Sequence, residues 1–384
     1  MRTTSSIVAG WARHGAMGAA CCALLAGGAA LAAEGEPAAV TRHVAAAKAA
    51  AGARWGGLFD VLCAAPAPPA AASAAPTPAP PATASAAPAP PGPPERATWY
   101  AAPVKVFDNL YYVGMTEYSA WAVTTSAGII LVDTLYDYSV QAEVVDGLRQ
   151  LGLDPKAIRY AIVSHGHRDH FGGAKYLQDT FGTKIVLSAA DWDLLDRSNG
   201  ARPRRDVVAS DGMALTLGDT TLRLYVTPGH TLGTISTLIP LRDRGASHLA
   251  ATWGGTAFNW LQDRDGYITS ERPDSFWFQR YIASSERFAE VAAKAGADVL
   301  LSNHTVFDGS KANLPLAMAR GAEQPNPYVV GPADVRAYLT VAGECARAGL
   351  ARLGGPEQAA LSEAGVPPKA AVSQKAGERR TPAH

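Results

Sequence analysis

One short stretch restricts what this chain can fold into more than any other: VSHGHRDHFGG, residues 163–173. The chain has nine histidines in 384 residues, and three of them fall here within six positions, together with an aspartate. Imidazole and carboxylate groups at this density are costly unless something binds them. Their types and spacing indicate metal ligands, because zinc prefers histidine nitrogen and accepts carboxylate oxygen. A solvated charged turn is the weaker alternative.

The residues before this motif predict how it is presented. IRYAIVS, residues 158–164, is a short apolar run and is typical of a buried strand. Because alternate side chains of an extended backbone share a face, His165 and His167 can point to the same metal ion. Asp169 and His170 follow where the chain should turn into a helix. We expect these two residues to bind a second ion.

Two further histidines follow other apolar runs. His230 lies in TPGHTLG after the strand-like TLRLYV, and His304 follows VLLS. Functional groups commonly lie where the buried strands of a layered α/β protein end. His43, His248 and His384 lack this context, and we expect them to be bystanders. The candidate ligands are five imidazoles and one carboxylate: His165, His167, His230, Asp169, His170 and His304.

Six ligands divide into three for each of two zinc ions, which leaves each ion a position for water. Water between two such ions becomes hydroxide near neutral pH. The predicted reaction is therefore attack by this metal-bound hydroxide on an activated carbonyl or phosphoryl group. Asp169 is also predicted to be catalytic, because its carboxylate can orient the hydroxide through a hydrogen bond. Iron and manganese remain alternatives to zinc for such ligands.

The beginning of the chain predicts export. A start with two arginines precedes the small-residue run AMGAACCALLAGGAALAA, which ends in an Ala-x-Ala pattern typical of a cleaved signal peptide. We expect a periplasmic or secreted protein without stable membrane insertion. Cleavage would remove Cys21 and Cys22 and leave Cys63 and Cys345. In an oxidising compartment these two either pair or stay as free thiols, and the sequence leaves both alternatives open.

Composition divides the rest of the chain and limits its partners. Lys+Arg and Asp+Glu are both 34, so no net charge favours nucleic acid or an anionic membrane, and we expect a small-molecule substrate. Proline and alanine dominate residues 65–97, which is typical of an extended linker. The oligomeric state stays open. The predicted segments are a signal peptide over 1–33, an Ala-rich segment and Pro/Ala-rich linker over 34–97, a folded domain over 98–353 and a disordered tail over 354–384.

Taken together, HGHRDH, PGHTLG and LLSNH resemble the motifs of the metallo-β-lactamase superfamily, over roughly residues 104–350. The resemblance implies an α/β fold, the αββα sandwich, in which two mixed sheets pack face to face with helices outside. It also implies how the ligands are shared between two zinc ions. The first ion would be held by His165, His167 and His230, and the second by Asp169, His170 and His304.

The stretch HLAATWGGTAFNW, residues 248–260, narrows the resemblance. Most hydrolases of the superfamily carry an aspartate here that bridges both metals, whereas this chain has Gly254 or Gly255 at that place. In this respect the chain is similar to the third subclass of metallo-β-lactamases, which has no bridging protein ligand. That subclass seats the substrate carboxylate with two serines. The only matching hydroxyl here belongs to Thr256, and we predict Thr256 and Trp253 as substrate contacts.

The resemblance implies a zinc-dependent hydrolase most similar to β-lactamases. One alternative is an esterase, thioesterase or lactonase of the same fold with another physiological substrate, and a second is a metal-binding protein without catalysis. A cysteine that often precedes the last ligand in the family is Ala297 here, which removes the usual late disulfide. Aromatic residues near the last two motifs either line a pocket for an apolar substrate or form ordinary core: Trp253, Phe258, Trp260, Phe276, Trp277 and Phe278.

Overall fold

The computed structural model describes residues 36–63 and 92–354. The predicted signal peptide, most of the predicted linker and nearly all of the predicted tail lie outside the described residues. Within those two ranges, no helix is long and apolar enough to cross a membrane.

A seven-stranded sheet forms one half of the core, with its strands in chain order. Its first four strands are antiparallel, and β4 to β7 run parallel. A two-residue turn, Ser126 and Ala127, joins the third and fourth strands. The strands are β1 (Val104–Lys105), β2 (Leu110–Tyr112), β3 (Trp121–Thr125), β4 (Gly128–Val132), β5 (Ile158–Ile162), β6 (Lys184–Ser188) and β7 (Val207–Ala209).

A five-stranded sheet forms the other half. Its spatial order is β12-β11-β10-β9-β8, antiparallel except for the parallel pair of β11 with β12. Alternate residues of β9 are buried, as expected for a strand with one face on the core. The strands are β8 (Met213–Leu217), β9 (Thr220–Val226), β10 (Ile235–Asp243), β11 (Ala246–Trp253) and β12 (Val299–Ser302).

Helices cover the outer faces of both sheets, so the predicted αββα sandwich is confirmed. One buried apolar cluster lies between the sheets, and two more lie between each sheet and its helices. The last helix of the described chain starts at a proline, Pro332. The helices are α1 (Ala38–Ala51), α2 (Gly56–Leu62), α3 (Asp146–Gln150), α4 (Arg168–Phe171), α5 (Ala174–Phe181), α6 (Ala189–Arg197), α7 (Arg264–Tyr267), α8 (Asp274–Ala295), α9 (Ser310–Ala319) and α10 (Pro332–Arg352).

Residues 36–63 pack against α10, which corrects the expectation that packed chain begins at residue 98. The reason is an apolar face that the composition of this Ala-rich segment conceals: Val40, Trp55 and Leu58 are at most 2% exposed. A disulfide between Cys63 and Cys345 joins the end of this segment to α10 and settles the alternative that the sequence left open. Helices α1 and α2 are therefore part of the outer layer on the five-stranded sheet, and we call them the N-terminal hairpin.

Five of the six aromatic residues near the last two motifs form core, and the sixth, Phe276, is partly exposed. Phe258, Trp260, Trp277 and Phe278 are at most 8% exposed and belong to the cluster between the five-stranded sheet and its helices. Their rings contact each other at centroid separations of 5.0 to 6.1 Å. This matches the alternative of ordinary core, because tightly packed rings leave no surface for a ligand.

Candidate metal centre

Three strand ends bring the six predicted ligands to one place. The loop after β5 and the following α4 carry His165, His167, Asp169 and His170, the loop after β9 carries His230, and the loop after β12 carries His304. His165 and His170 lie deep in the molecule, with ring centroids 4.2 Å apart. His304 and His170 are 5.2 Å apart by the same measure. The sequence therefore identified a single cluster from residues that are up to 139 positions apart along the chain.

Three imidazoles form the first ligand group. Nε2 of His230 lies 3.1 Å from Nε2 of His165 and 3.1 Å from Nδ1 of His167. The opposite nitrogens are held by the backbone, since Nδ1 of His165 is 2.8 Å from the Gly254 carbonyl oxygen and Nδ1 of His230 is 2.6 Å from the Ala257 carbonyl oxygen. A nitrogen that donates to a carbonyl leaves its partner nitrogen with a lone pair. These lone pairs point at one another, which suits a shared cation.

His167 turns Nδ1, and not Nε2, toward His230, and a hydrogen bond with Tyr267 explains this orientation. The Tyr267 hydroxyl lies 2.8 Å from Nε2 of His167 and donates to the backbone oxygen of His230 at 3.0 Å. Burial raises the pKa of Tyr267 above its usual value, so the hydroxyl stays protonated. Because its proton is donated to the backbone oxygen of His230, the hydroxyl accepts a hydrogen bond from Nε2 of His167. The lone pair of Nδ1 is then available to a metal ion. Tyr267, the last residue of α7, belongs to no sequence motif and was not predicted to be part of the site.

Asp169, His170 and His304 form the second group. Oδ2 of Asp169 is 3.0 Å from Nε2 of His170 and 3.5 Å from Nε2 of His304. Asp169 and His170 also approach His165 closely enough for one ion to contact all three, so the two groups adjoin. Nε2 of His170 is fully buried and makes no hydrogen bond despite the nearby carboxylate. An unsatisfied buried nitrogen beside a carboxylate is the arrangement that a cation would complete.

Asp133 fixes the orientation of His170. It follows β4, and its Oδ2 lies 2.9 Å from Nδ1 of His170, while its Oδ1 accepts from the Ser164 backbone at 2.7 Å. Asp133 and Leu135 have φ of 62° and 60°, a region that costs energy for residues other than glycine. The strained backbone turns the carboxylate inward. A carboxylate behind a ligating imidazole is a common second layer of metal sites, and the residue type alone did not reveal it.

Asp191 connects the two loops that carry the first group. Its Oδ2 accepts from the Gly166 backbone at 2.8 Å and from the Thr231 hydroxyl at 2.7 Å, and its Oδ1 accepts from the Gly233 backbone at 2.9 Å. Burial raises its pKa to about 6 despite these donors. Asp191 therefore positions His165 and His230 indirectly, through the residues next to them. Sequence analysis did not single it out.

The histidines of the cluster differ in charge, because the surroundings lower the pKa of some and raise the pKa of another. Burial, and repulsion by neighbouring imidazoles, lower the pKa of His167 to about 3 and that of His230 to about 4, and they also lower the pKa of His165. Burial acts in the same direction on His170, but the carboxylates of Asp169 and Asp133 outweigh it and raise its pKa to about 10. The first group is therefore neutral and ready to donate lone pairs, whereas His170 holds a proton that a metal ion would replace.

Two glycines lie where most of the superfamily has its bridging aspartate, and neither has room for a side chain. A Cβ atom on Gly255 would lie 2.5 Å from Cβ of His230, and one on Gly254 would lie 1.9 Å from the Ile235 carbonyl oxygen. Such distances are not tolerated without backbone movement. The absence of a bridging carboxylate is therefore built into the packing of the His230 loop against the end of β11.

The two predicted substrate contacts are corrected by the structure. Trp253 is 1% exposed and its indole nitrogen donates to the Tyr281 hydroxyl at 3.2 Å, within the apolar layer under α8. Thr256 is also 1% exposed, and its hydroxyl lies 3.5 Å from that of Tyr338 on α10. Both side chains turn away from the metal ligands because the strand end continues into the core. His248, predicted as a bystander, pairs with Asp298 at 2.6 Å.

A row of tyrosines borders the centre beside His304. Tyr118 is bridged to His304 through the backbone, and the two rings are 5.0 Å apart. Tyr136 meets Tyr118 edge-on at 5.2 Å and stacks on Tyr138 at 5.0 Å. All three rings are partly exposed. The second ligand group is thus flanked by an accessible aromatic wall, which the sequence analysis did not identify.

Comparison with known proteins agrees with this architecture. Residues 114–244 match the family model of the metallo-beta-lactamase superfamily. A hydroxyacylglutathione hydrolase of Acidiphilium cryptum (strain JF-5) is 33% identical over 100 residues, which are 26% of this chain and 35% of that protein. The probable polyketide biosynthesis zinc-dependent hydrolase BaeB of Bacillus velezensis (strain DSM 23117 / BGSC 10A6 / LMG 26770 / FZB42) is 32% identical over 91 residues, 24% of this chain and 37% of that protein. The chain thus spans 35% and 37% of the length of these two curated relatives.

A solved structure extends the likeness across the described fold. The subclass B3 metallo-beta-lactamase BJP-1 of Bradyrhizobium japonicum matches with a TM-score of 0.54 and 24% identity, covering 65% of this chain and 94% of that chain. At this identity the likeness concerns the fold. The described fold thus resembles that of a solved metallo-beta-lactamase, and the partial family match falls within the same region.

Proposed function

We propose that this chain, a metallo-β-lactamase superfamily protein by its fold and by the sequence of residues 114–244, is a dinuclear zinc hydrolase that opens an activated carbonyl compound of the β-lactam type. The observation that carries the proposal is the pair of adjoining ligand groups, which share His165 and include the buried, unsatisfied Nε2 of His170. His304 joins them beside Asp169. Two zinc ions bound there would supply Lewis acidity and a water of lowered pKa. The donor set of imidazole and carboxylate suits zinc.

The chain's own residues would divide the work between them. The backbone carbonyls of Gly254 and Ala257 and the hydroxyl of Tyr267 hold the first three imidazoles in the tautomers that donate inward. Asp169, whose pKa stays below its usual range because its cationic neighbour His170 outweighs the effect of burial, is ionised at any ordinary pH. Its carboxylate can therefore accept a hydrogen bond from a water in the cleft and orient that water for attack. The tyrosine row would contact the apolar part of the substrate.

A second candidate, an ester or thioester substrate, is favoured by one observation. The third lactamase subclass seats a substrate carboxylate with serine hydroxyls, but the matching Thr256 is buried under α10 and two glycines precede it. No described residue of this stretch offers a hydroxyl to the cleft. A substrate without that carboxylate would not need one.

The test is hydrolysis of a chromogenic cephalosporin and of an acyl thioester by the zinc-loaded protein, with and without chelator. We expect chelator-sensitive turnover, abolished in His167→Ala and in His304→Ala because each removes a ligand, and retained in His248→Ala, which lies outside the centre. Turnover of only the thioester would move the substrate to the second candidate. Full activity of either ligand variant, or no turnover of any substrate by protein with two zinc ions, would overturn the proposed function.

We also propose export to the periplasm or the medium, based on the N-terminal sequence pattern. The Cys63–Cys345 disulfide supports this, because disulfides persist in oxidising compartments. N-terminal sequencing of protein recovered from the periplasm should show that residues 1–33 have been removed. Retention of the whole N-terminus in the cytoplasmic fraction would contradict export.

A further inference from the structure

The N-terminal hairpin is attached to α10 by several kinds of contact. Trp55 packs edge-on against Tyr338 with centroids 5.2 Å apart, and its indole nitrogen donates to the Asp334 carbonyl oxygen at 3.0 Å. Arg54 pairs with the Asp334 carboxylate at 2.7 Å. At the other end, the disulfide joins Cys63 to α10. The hairpin is therefore held at several points along α10, and its position is fixed.

The same hairpin touches the loop that carries His304. A Cβ atom on Gly57 would lie 3.0 Å from the carbonyl oxygen of Val306, so the backbone of α2 lies directly on this loop. Leu58 of α2 and Phe307 of the loop belong to the same buried apolar cluster. Phe307 in turn packs against His304 with ring centroids 5.4 Å apart. A continuous chain of contacts thus runs from α2 through the loop to the imidazole of His304.

The other side of that loop is also fixed. Thr305 donates through its backbone to the Glu117 carbonyl oxygen at 3.1 Å and through its hydroxyl to the Thr116 carbonyl oxygen at 2.7 Å. The loop is held between the 116–118 segment and α2. Removing one of the two supports should therefore let His304 move, while the ligands of α4 and of the loop after β5 keep their own support from Asp133 and Asp191.

We infer that the N-terminal hairpin is a positioning element for His304, and that it tunes the affinity of the second metal position without acting on the first. The inference rests on the proposed metal centre, whose second ligand group contains His304. The disulfide between Cys63 and Cys345 holds the hairpin on α10 covalently. Cys345 is buried on α10 and pairs with the hairpin, while Ala297 stands where the family often has its late cysteine.

Two neighbouring glycines provide a matched test. Gly56 and Gly57 are the first two residues of α2, and neither has a positive φ. A Cβ on Gly56 would meet nothing within 4 Å, whereas one on Gly57 would press on Val306. Gly57→Val should displace the loop, and Gly56→Val should not. Both substitutions replace glycine by valine in the same helix and change its propensity alike. A difference in zinc affinity between the two variants therefore reports the contact with the loop.

The measurement is stepwise zinc binding by the full chain in competition with a chromophoric chelator, with thermal unfolding as a check on folding. For Gly57→Val we expect the weaker of the two zinc affinities to fall at least tenfold and the tighter one to stay, as in His304→Ala. Gly56→Val should bind like wild type. The double variant Cys63→Ser, Cys345→Ser should weaken the same step, because the hairpin loses its tether. Gly57→Ala, with a smaller side chain, serves if Gly57→Val fails to fold.

Equal zinc binding by Gly56→Val and Gly57→Val, or loss of both ions together in Gly57→Val, would overturn the inference. These outcomes are independent of turnover. Wild-type protein that binds two ions but hydrolyses nothing would defeat the proposed activity and leave the positioning role standing. Wild-type protein that binds fewer than two ions would overturn both.

Discussion

At the scale of single residues, the convergence of the six candidate ligands was predictable, and the residues that orient them were not. HGHRDH, PGHTLG and LLSNH each follow an apolar run, so local pattern alone indicates a side chain at a strand end. Tyr267 and Asp191 reach the centre from helices α7 and α6 without any such motif, and Asp133 follows β4 with no histidine beside it. Their roles depend on which atoms meet across the fold. Trp253 and Thr256 were misassigned for the same reason: position after a strand does not tell which face a side chain takes.

Tyr267→Phe tests the orientation of a single imidazole. Removing the hydroxyl deprives Nε2 of His167 of its partner at 2.8 Å, so the tautomer that donates through Nδ1 is no longer favoured. We expect the affinity of the first zinc position to fall about 10- to 100-fold, as is usual when the hydrogen-bond partner of a metal ligand is removed. Chelator competition measures this, with Tyr225→Phe as a control outside the centre. Unchanged affinity would show that the ring is held by packing alone.

At the scale of elements, the pattern of apolar residues located the helices and strands but not their irregularities. The structure winds Gln141–Val145 as a π-helical turn before α3. Periodicity cannot reveal such a turn, because the buried Val144, Val145 and Leu148 fit either winding. The turn carries Glu143, which is 1% exposed and accepts from the Ala101 backbone at 3.0 Å.

Glu143 should make stability depend on pH. Burial raises its pKa from 4.5 to about 8, so between these values the folded state holds a proton that the unfolded state has released. Stability therefore falls as pH rises from about 4.5 to about 8, by something on the order of 1 to 4 kcal/mol. Glu143→Gln keeps an oxygen acceptor for Ala101 and should flatten that part of the curve. Urea unfolding at several pH values measures it, and an equal slope in both proteins would contradict the assignment.

At the scale of the whole molecule, the sandwich was predictable, and the packing of the N-terminal hairpin against α10 was not. The motifs imply the αββα architecture through their family resemblance, and the three apolar layers confirm it. The boundary at residue 98 failed because alanine contributes little to an apolar pattern even when it is fully buried, as Ala47 is. Only the partner surface on α10 shows which face of the segment is inside.

Metal removal should lower the stability of the molecule without unfolding it. The three apolar layers do not include the ligands, so the sandwich should persist in metal-free protein. Binding at about 1,000 times the dissociation constant stabilises a fold by about 4 kcal/mol per site. We therefore expect chelation to lower the melting temperature by on the order of 10 °C. Calorimetry with and without chelator measures the shift, and an identical melting temperature would mean that the ligands bind no ion in the folded state.

The disulfide between Cys63 and Cys345 also sets an order on biosynthesis. The two cysteines are 282 residues apart, so the first emerges from the ribosome long before its partner exists. Until α10 has been made, Trp55 and Leu58 have no surface to cover them. The segment synthesised among the first is thus among the last to be buried. A nascent chain stalled before residue 332 would carry an unclosed apolar face, a natural place for a chaperone to hold it.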